Sequence, residues 1–153
     1  MKFLSALRMS PYFGCKNWCL IEEFKFEYED IIFTIPKGFI TDGASVPKIF
    51  WNILSPWGIY SPAAVAHDWL YYSQTTTKDF ADDMLMAGMK KLGTSALECN
   101  IIYGAVNKAG QSAWDENKKK KEIGFIRIAQ DIPTSVMDIP FYWEGTTGDW
   151  EKG

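Results

Sequence analysis

The one histidine of this 153-residue chain stands in the run His67-Asp68-Trp69-Leu70-Tyr71, with Ala81-Asp82 a short distance downstream. On a helix His67 and Tyr71 are four residues apart and share a face, while Asp68 points about a third of a turn away beside Tyr72. If a second helix returns antiparallel after a short turn, Asp82 near its start comes back within reach of His67 or Tyr71. A carboxylate bonded to one imidazole nitrogen fixes the tautomer, which leaves the other nitrogen to accept a proton from water. Asp68, aimed elsewhere, is of the type that binds a hard cation such as calcium together with loop carbonyls and water. Such a cation polarises a carbonyl and stabilises an oxyanion. A lone histidine excludes any site built on two imidazole ligands, including the H-E-x-x-H metalloproteases.

The elements that must position these groups follow from local signals. Ser61 as N-cap with Pro62 at the first helical position predicts a helix from about Pro62 to Ser73. Thr77 caps a second helix, with Ala81, Met84, Leu85, Gly88 and Leu92 on one stripe and Gly93 as its stop. Ser95 and Glu98 have capping-box spacing and open a third helix carrying Ile102, Tyr103, Val106 and Ala109. Short connections make the three antiparallel. Upstream, Phe24, Phe26 and Tyr28 alternate with charged residues, and Ile31 to Ile35 follow Glu29-Asp30, a hairpin pattern ending at Pro36. Gly38 to Pro47 reads as a tight, defined loop. The fold class expected is α+β: an N-terminal hairpin or small antiparallel sheet packed on an antiparallel three-helix core over residues 1–113. Residues 114–153 form an irregular aromatic extension, with prolines Pro133 and Pro140 beside Phe141, Tyr142 and Trp143, docking on the domain or on a partner.

Composition narrows the function classes. Aromatic residues make up 16% and charged residues 23%, with a net charge of −3, so disorder is excluded and one globular domain is expected. The acidic balance argues against nucleic acid, and the basic run Lys118 to Lys121, flanked by acids, reads as a solvated charged turn. Three cysteines, Cys15, Cys19 and Cys99, are too few and odd in number for a disulfide framework and fit a reducing compartment. No run of 18 or more apolar residues spans a membrane, and the first residues lack a full signal-peptide core. Ser45 lacks a G-x-S-x-G elbow and reads as a turn residue. Trp51, Trp57 and Trp69 read as core or interface aromatics, and Met84, Met86 and Met89 as mostly core.

His67-Asp68-x-x-Tyr71 resembles the HDxxY signature of phospholipase A2 enzymes, and Ala63 to Ala66 before it with Ala81-Asp82 after it are most similar to the parvovirus capsid form. The similarity spans about 25 residues. It implies His67 as general base, Asp68 as calcium ligand, Tyr71 as a hydrogen-bonder behind the base and Asp82 as the carboxylate orienting His67. The glycine-rich YxGxG calcium loop is missing in that form, and Ser55 to Tyr60 carries one glycine.

A wider resemblance runs from about Ile35 to Trp114. Pro36-Lys37-Gly38-Phe39, Thr41-Asp42-Gly43-Ala44-Ser45-x-Pro47, Trp51, Pro56-x-Gly58-x-Tyr60, Ala63-Ala64-x-x-His67-Asp68-x-Leu70-Tyr71, Ala81-Asp82, Met89, Gly93 and Tyr103-x-Ala105-Val106 together resemble a bacteriophage and prophage family, domain of unknown function 1353. The resemblance implies a phage protein, made in the bacterial host cytoplasm and carried on the virion tail, whose partners are other tail or virion proteins. The expected role is a structural or interaction component with a phospholipase A2-like helical core. The alternative is a small hydrolase of lipid or cell-envelope esters, with membrane lipid or envelope as partner and calcium as the candidate ion. Two geometric expectations separate these: Asp82 within hydrogen-bond distance of His67, with the Asp42 loop over the same end of the helix pair, and a free His67 nitrogen open to a substrate for the enzyme but closed off in the scaffold.

Overall fold

The computed structural model describes residues 1–12, 17–42, 58–132 and 151–152. The chain is α+β. Strands β1 (Lys2–Phe3), β4 (Phe24–Tyr28) and β5 (Ile31–Ile35) form one antiparallel sheet in the order β1-β4-β5, and β2 (Met9–Tyr12), β3 (Asn17–Leu20) and β6 (Ile40–Thr41) form another in the order β2-β3-β6. Helices α1 (Ser61–Ser73), α2 (Lys78–Lys91) and α3 (Ala96–Glu122) follow, and β7 (Phe125–Ile126) pairs with β8 (Glu151–Lys152). None of the described helices is long and apolar enough to cross a membrane.

The expected hairpin is β4–β5, with Tyr28 opposite Ile31 and Phe24 opposite Ile35. Its turn residues Glu29 and Asp30 both have positive φ, the backbone that lets a two-residue turn match the strand twist. Period two sends Phe24 and Phe26 into the core. There they meet Val65, Ala66, Leu70, Tyr71 and Tyr72 of α1 and Ala81 and Met84 of α2. A second apolar cluster joins Ala63, Ala64, Leu85, Met89, Cys99 and Ile102 across the three helices. The α1–α2 approach is close because Gly88 has no side chain: a Cβ there would lie 2.7 Å from that of Ala63.

Local signals at the helix starts meet different fates. Thr77 caps α2 by accepting from the Phe80 amide, and Ser95 with Glu98 makes both bonds of a capping box at α3. Ser61 does not cap α1. Tyr60 is the N-cap, and the Ser61 hydroxyl donates back to the Gly58 carbonyl at 2.7 Å. The Lys118 to Lys121 run is helix rather than turn, in the last turns of α3, where positive charge complements the helix dipole. Lys121 there donates to the Ser73 carbonyl and lies over the Tyr72 ring.

Helix α3 continues through Trp114, which packs edge-on against Tyr71. Beyond it the chain returns to the sheet. The Ile40 amide donates to the Arg127 carbonyl and the Ala129 amide to the Gly38 carbonyl. Gly38, at φ +91°, makes this approach feasible, since a Cβ would sit 3.3 Å from the Ala129 oxygen.

Candidate active site

Helix α1 presents His67 and Tyr71 on one face because they are one turn apart, and the 74–77 connection brings the first turns of α2 back against them. His67 Nε2 lies 2.8 Å from Asp82 Oδ1, and the Tyr71 hydroxyl donates to the same oxygen at 2.7 Å. The three residues expected to work together are therefore in contact. The sequence reading missed the fourth member, Lys78, whose Nζ donates to Asp82 Oδ2 at 2.7 Å. Its signal was present: Lys78 and Asp82 are four residues apart on one helix.

Asp82 is only 1% exposed. Burial alone would raise its carboxyl, but the hydrogen bonds from His67, Lys78 and Tyr71 outweigh that and hold it below the usual carboxylate range. An ionised Asp82 has no proton to give, so His67 Nε2 is the donor and Nδ1 carries the lone pair. Burial, then Lys78 nearby, lower the imidazole against the pull of Asp82, so the ring is neutral at pH 7. Among the described residues nothing hydrogen-bonds Nδ1. Burial and the Asp82 carboxylate push the Tyr71 phenol up, which keeps it a donor.

Helix α3 closes the back of this cluster. A Cβ on Gly110 would lie 2.4 Å from the Tyr71 hydroxyl and 3.0 Å from Lys78 Cε. The absent side chain lets α3 press Tyr71 and Lys78 onto Asp82. Gly110 gave no signal in the sequence, because a glycine inside a helix acquires meaning only from what it faces.

Asp68 faces elsewhere, as its helical angle requires. Its Oδ2 accepts from Thr41 Oγ1 at 2.6 Å and lies 3.5 Å from Arg127 Nη2. The same guanidinium nitrogen is 3.9 Å from Asp42 Oδ1. Asp42 is thus brought to Asp68 on α1; the rest of its loop, with Ser45, Trp51 and Trp57, lies outside the described residues, as do Cys15, Phe141, Tyr142, Trp143 and Trp150. Burial and the neighbouring Asp42 push the Asp68 carboxyl up to about 8, against the opposing pull of Arg127 and Thr41.

These contacts engage Asp68 with a hydroxyl and a guanidinium, at the position where the resemblance implied a calcium ion. A cation already stands between the two carboxylates, and no group of three or more histidine, cysteine or acidic side chains among the described residues is placed to hold a metal ion. Cys19 and Cys99 are buried, each thiol donating to a backbone carbonyl. Trp69 packs edge-on against Phe39.

Residues 18–106 match the family model described as protein of unknown function (DUF1353). The chain belongs to the DUF1353 family. The match holds β3 to β6, α1, α2 and the first part of α3, and with them every member of the Asp82 cluster except Gly110. It holds Thr41, Asp42 and Asp68 but not Arg127. An uncharacterized protein of Sinorhizobium fredii, y4jT, is 29% identical over 103 residues, covering 64% of this DUF1353 chain and 31% of the relative. The chain thus spans about a third of the length of that relative. No solved structure matches.

Proposed function

We propose that the DUF1353 chain is a small hydrolase acting on an ester of lipid or cell envelope, with His67 as general base and Asp82 as the residue that orients it. The observation that carries this reading is an imidazole locked in one tautomer by a buried, ionised carboxylate, with its lone-pair nitrogen uncommitted among the described residues. In this reading Nδ1 takes a proton from water as the water oxygen attacks the ester carbonyl. The imidazolium, stabilised by Asp82, then returns that proton to the departing alkoxide. Tyr71 and Lys78 hold the carboxylate still, and no step passes through a metal.

The test is release of fatty acid from phospholipid vesicles, with calcium and with a chelator. The wild-type chain is expected to release it, and His67→Asn to lose at least about a hundredfold, the usual scale of a general base. Equal release by the two proteins overturns the proposal.

A second reading has its own support. Lys78 sets a positive charge against the carboxylate that would have to stabilise the imidazolium, which favours a polar lock between α1 and α2 over a reactive pair. On that reading the chain is a bacteriophage virion protein carried on the tail, a rigid component docking on its neighbours. Mass spectrometry of purified virions decides it: absence of the chain from the particle removes the idea.

A further inference from the structure

We propose that Arg127 is the resident cation of the Asp42–Asp68 pair, so that this acidic pair is matched by the chain's own guanidinium rather than by a bound divalent ion. Three observations carry this. Arg127 is buried, at 5% exposed, and is fixed at several points: its Nε donates to the Ile40 carbonyl at 3.1 Å, its Nη2 faces both carboxylates, and its guanidinium lies 5.4 Å from the centre of the Phe39 ring. Its backbone is held too, through the bond from the Ile40 amide. Finally, Asp68 already uses one oxygen on Thr41 and Arg127 together.

A divalent ion binding Asp68 would have to displace a guanidinium that is itself buried, or bring a second positive charge against it. A calcium ion also needs six to eight oxygens, whereas the described surroundings of Asp68 supply two carboxylates and one hydroxyl. The groups facing Asp68 are Asp42 and Thr41 from the end of β6 and Arg127 from the segment after β7. Through Thr41 and Asp42, Arg127 also fixes where the chain leaves β6.

The inference refines the hydrolytic reading by stating how that site is charged, yet its test reads ion binding and stability, and so it stands or falls apart from catalysis. Calcium chloride is titrated into the full chain and into Asp68→Asn by calorimetry, with thermal melts in calcium and in chelator. No binding heat that depends on Asp68, and no calcium-dependent shift of Tm, are expected. Calcium binding by the wild type that Asp68→Asn removes overturns the proposal.

In the second arm Arg127→Met is expected to lower Tm, with Arg127→Lys retaining more than Arg127→Met. Adding Asp68→Asn to Arg127→Met should restore part of the loss at pH 9, because the Asp42–Asp68 pair, without its cation, then has one acidic group fewer to ionise. Strictly additive losses overturn the pairing. Should Arg127→Met fail to fold, the calcium comparison between wild type and Asp68→Asn decides alone. Absence of fatty-acid release from every protein removes the hydrolytic reading and leaves the ion-binding result intact.

Discussion

Asp82 and Asp68 sit on the two helices of one pair, and their surroundings set a carboxyl group in opposite ways. Asp82 receives three donors, one of them a cation it shares with no other acid. Asp68 receives the Thr41 hydroxyl and is hydrogen-bonded to the Asp42 carboxyl, with which it divides its guanidinium. Burial pushes both carboxyls up, yet Asp82 ends below the ordinary range and Asp68 well above it, at about 8. The difference teaches that burial raises a carboxyl unless enough donors answer it: three do so at Asp82, while at Asp68 the neighbouring Asp42 adds to the rise.

The contrast is broken most severely at Asp82. Replacing it by Asn leaves the Lys78 ammonium buried opposite a neutral amide, and a loss of about 3–5 kcal/mol is expected, the usual result of removing one partner of a buried pair. Urea unfolding measures it, and a loss below 1 kcal/mol would mean that Lys78 escapes to solvent.

Gly110→Ala comes next. It drives a methyl group toward the Tyr71 hydroxyl and should cost about 1–3 kcal/mol through overpacking. Because it touches only the Asp82 cluster, it should also move the NMR signals of the single imidazole while leaving calcium insensitivity unchanged.

Asp68→Asn should be milder, about 1 kcal/mol at neutral pH, since the residue holds its proton over much of the range. Its signature is in the pH dependence. A folded-state value near 8, raised above 3.8, makes the contribution of Asp68 full below about pH 4 and lost as the pH rises through 8. Asp82 and the lowered His67 act the other way: the first loses its contribution as pH falls below about 4, the second as pH falls below about 6.5. Urea midpoints from pH 4 to 9 should therefore fall less steeply between about pH 4 and 8 for Asp68→Asn than for wild type.

The smallest effect is expected for Thr41→Val, which keeps the buried volume and removes the donor to Asp68, about 0.5–1.5 kcal/mol. A thermal melt of this variant in the Asp68→Asn background should show less than the sum of the two losses, and full additivity would uncouple the residues.

The Asp82 cluster was legible in the sequence because it is local. Four-residue spacing and a short turn suffice to join His67, Tyr71 and Asp82, and the same rule would have found Lys78. Phe24 and Phe26 turn inward as their alternation requires. Caps at Thr77 and Ser95 were readable for the same reason, while Ser61 misled because its hydroxyl had a nearer acceptor in Gly58. The Asp68 surroundings were not legible. Arg127 comes from a short apolar stretch that carries no periodic signal, and its position follows from the length of α3, where Lys118 to Lys121 continue a helix that charge alone had marked as a turn. The exposed Ile31 and Ile32 show the same limit: an apolar run names a strand but not the face that is covered.

The return of the chain to Ile40 also orders events in time. The His67–Asp82 bond closes a loop of 15 residues, whereas the Arg127–Ile40 bond closes one of 87. Loop-closure entropy grows with the logarithm of length, so the second closure costs about 1.5 kcal/mol more before any contact rewards it. Helices α1 and α2 can therefore lock through Asp82 while the ribosome is still adding α3. The Asp68 side must wait for Arg127, and until that residue emerges the Asp42–Asp68 pair lies without its cation. A residue made late thus completes a cluster whose acids were made much earlier.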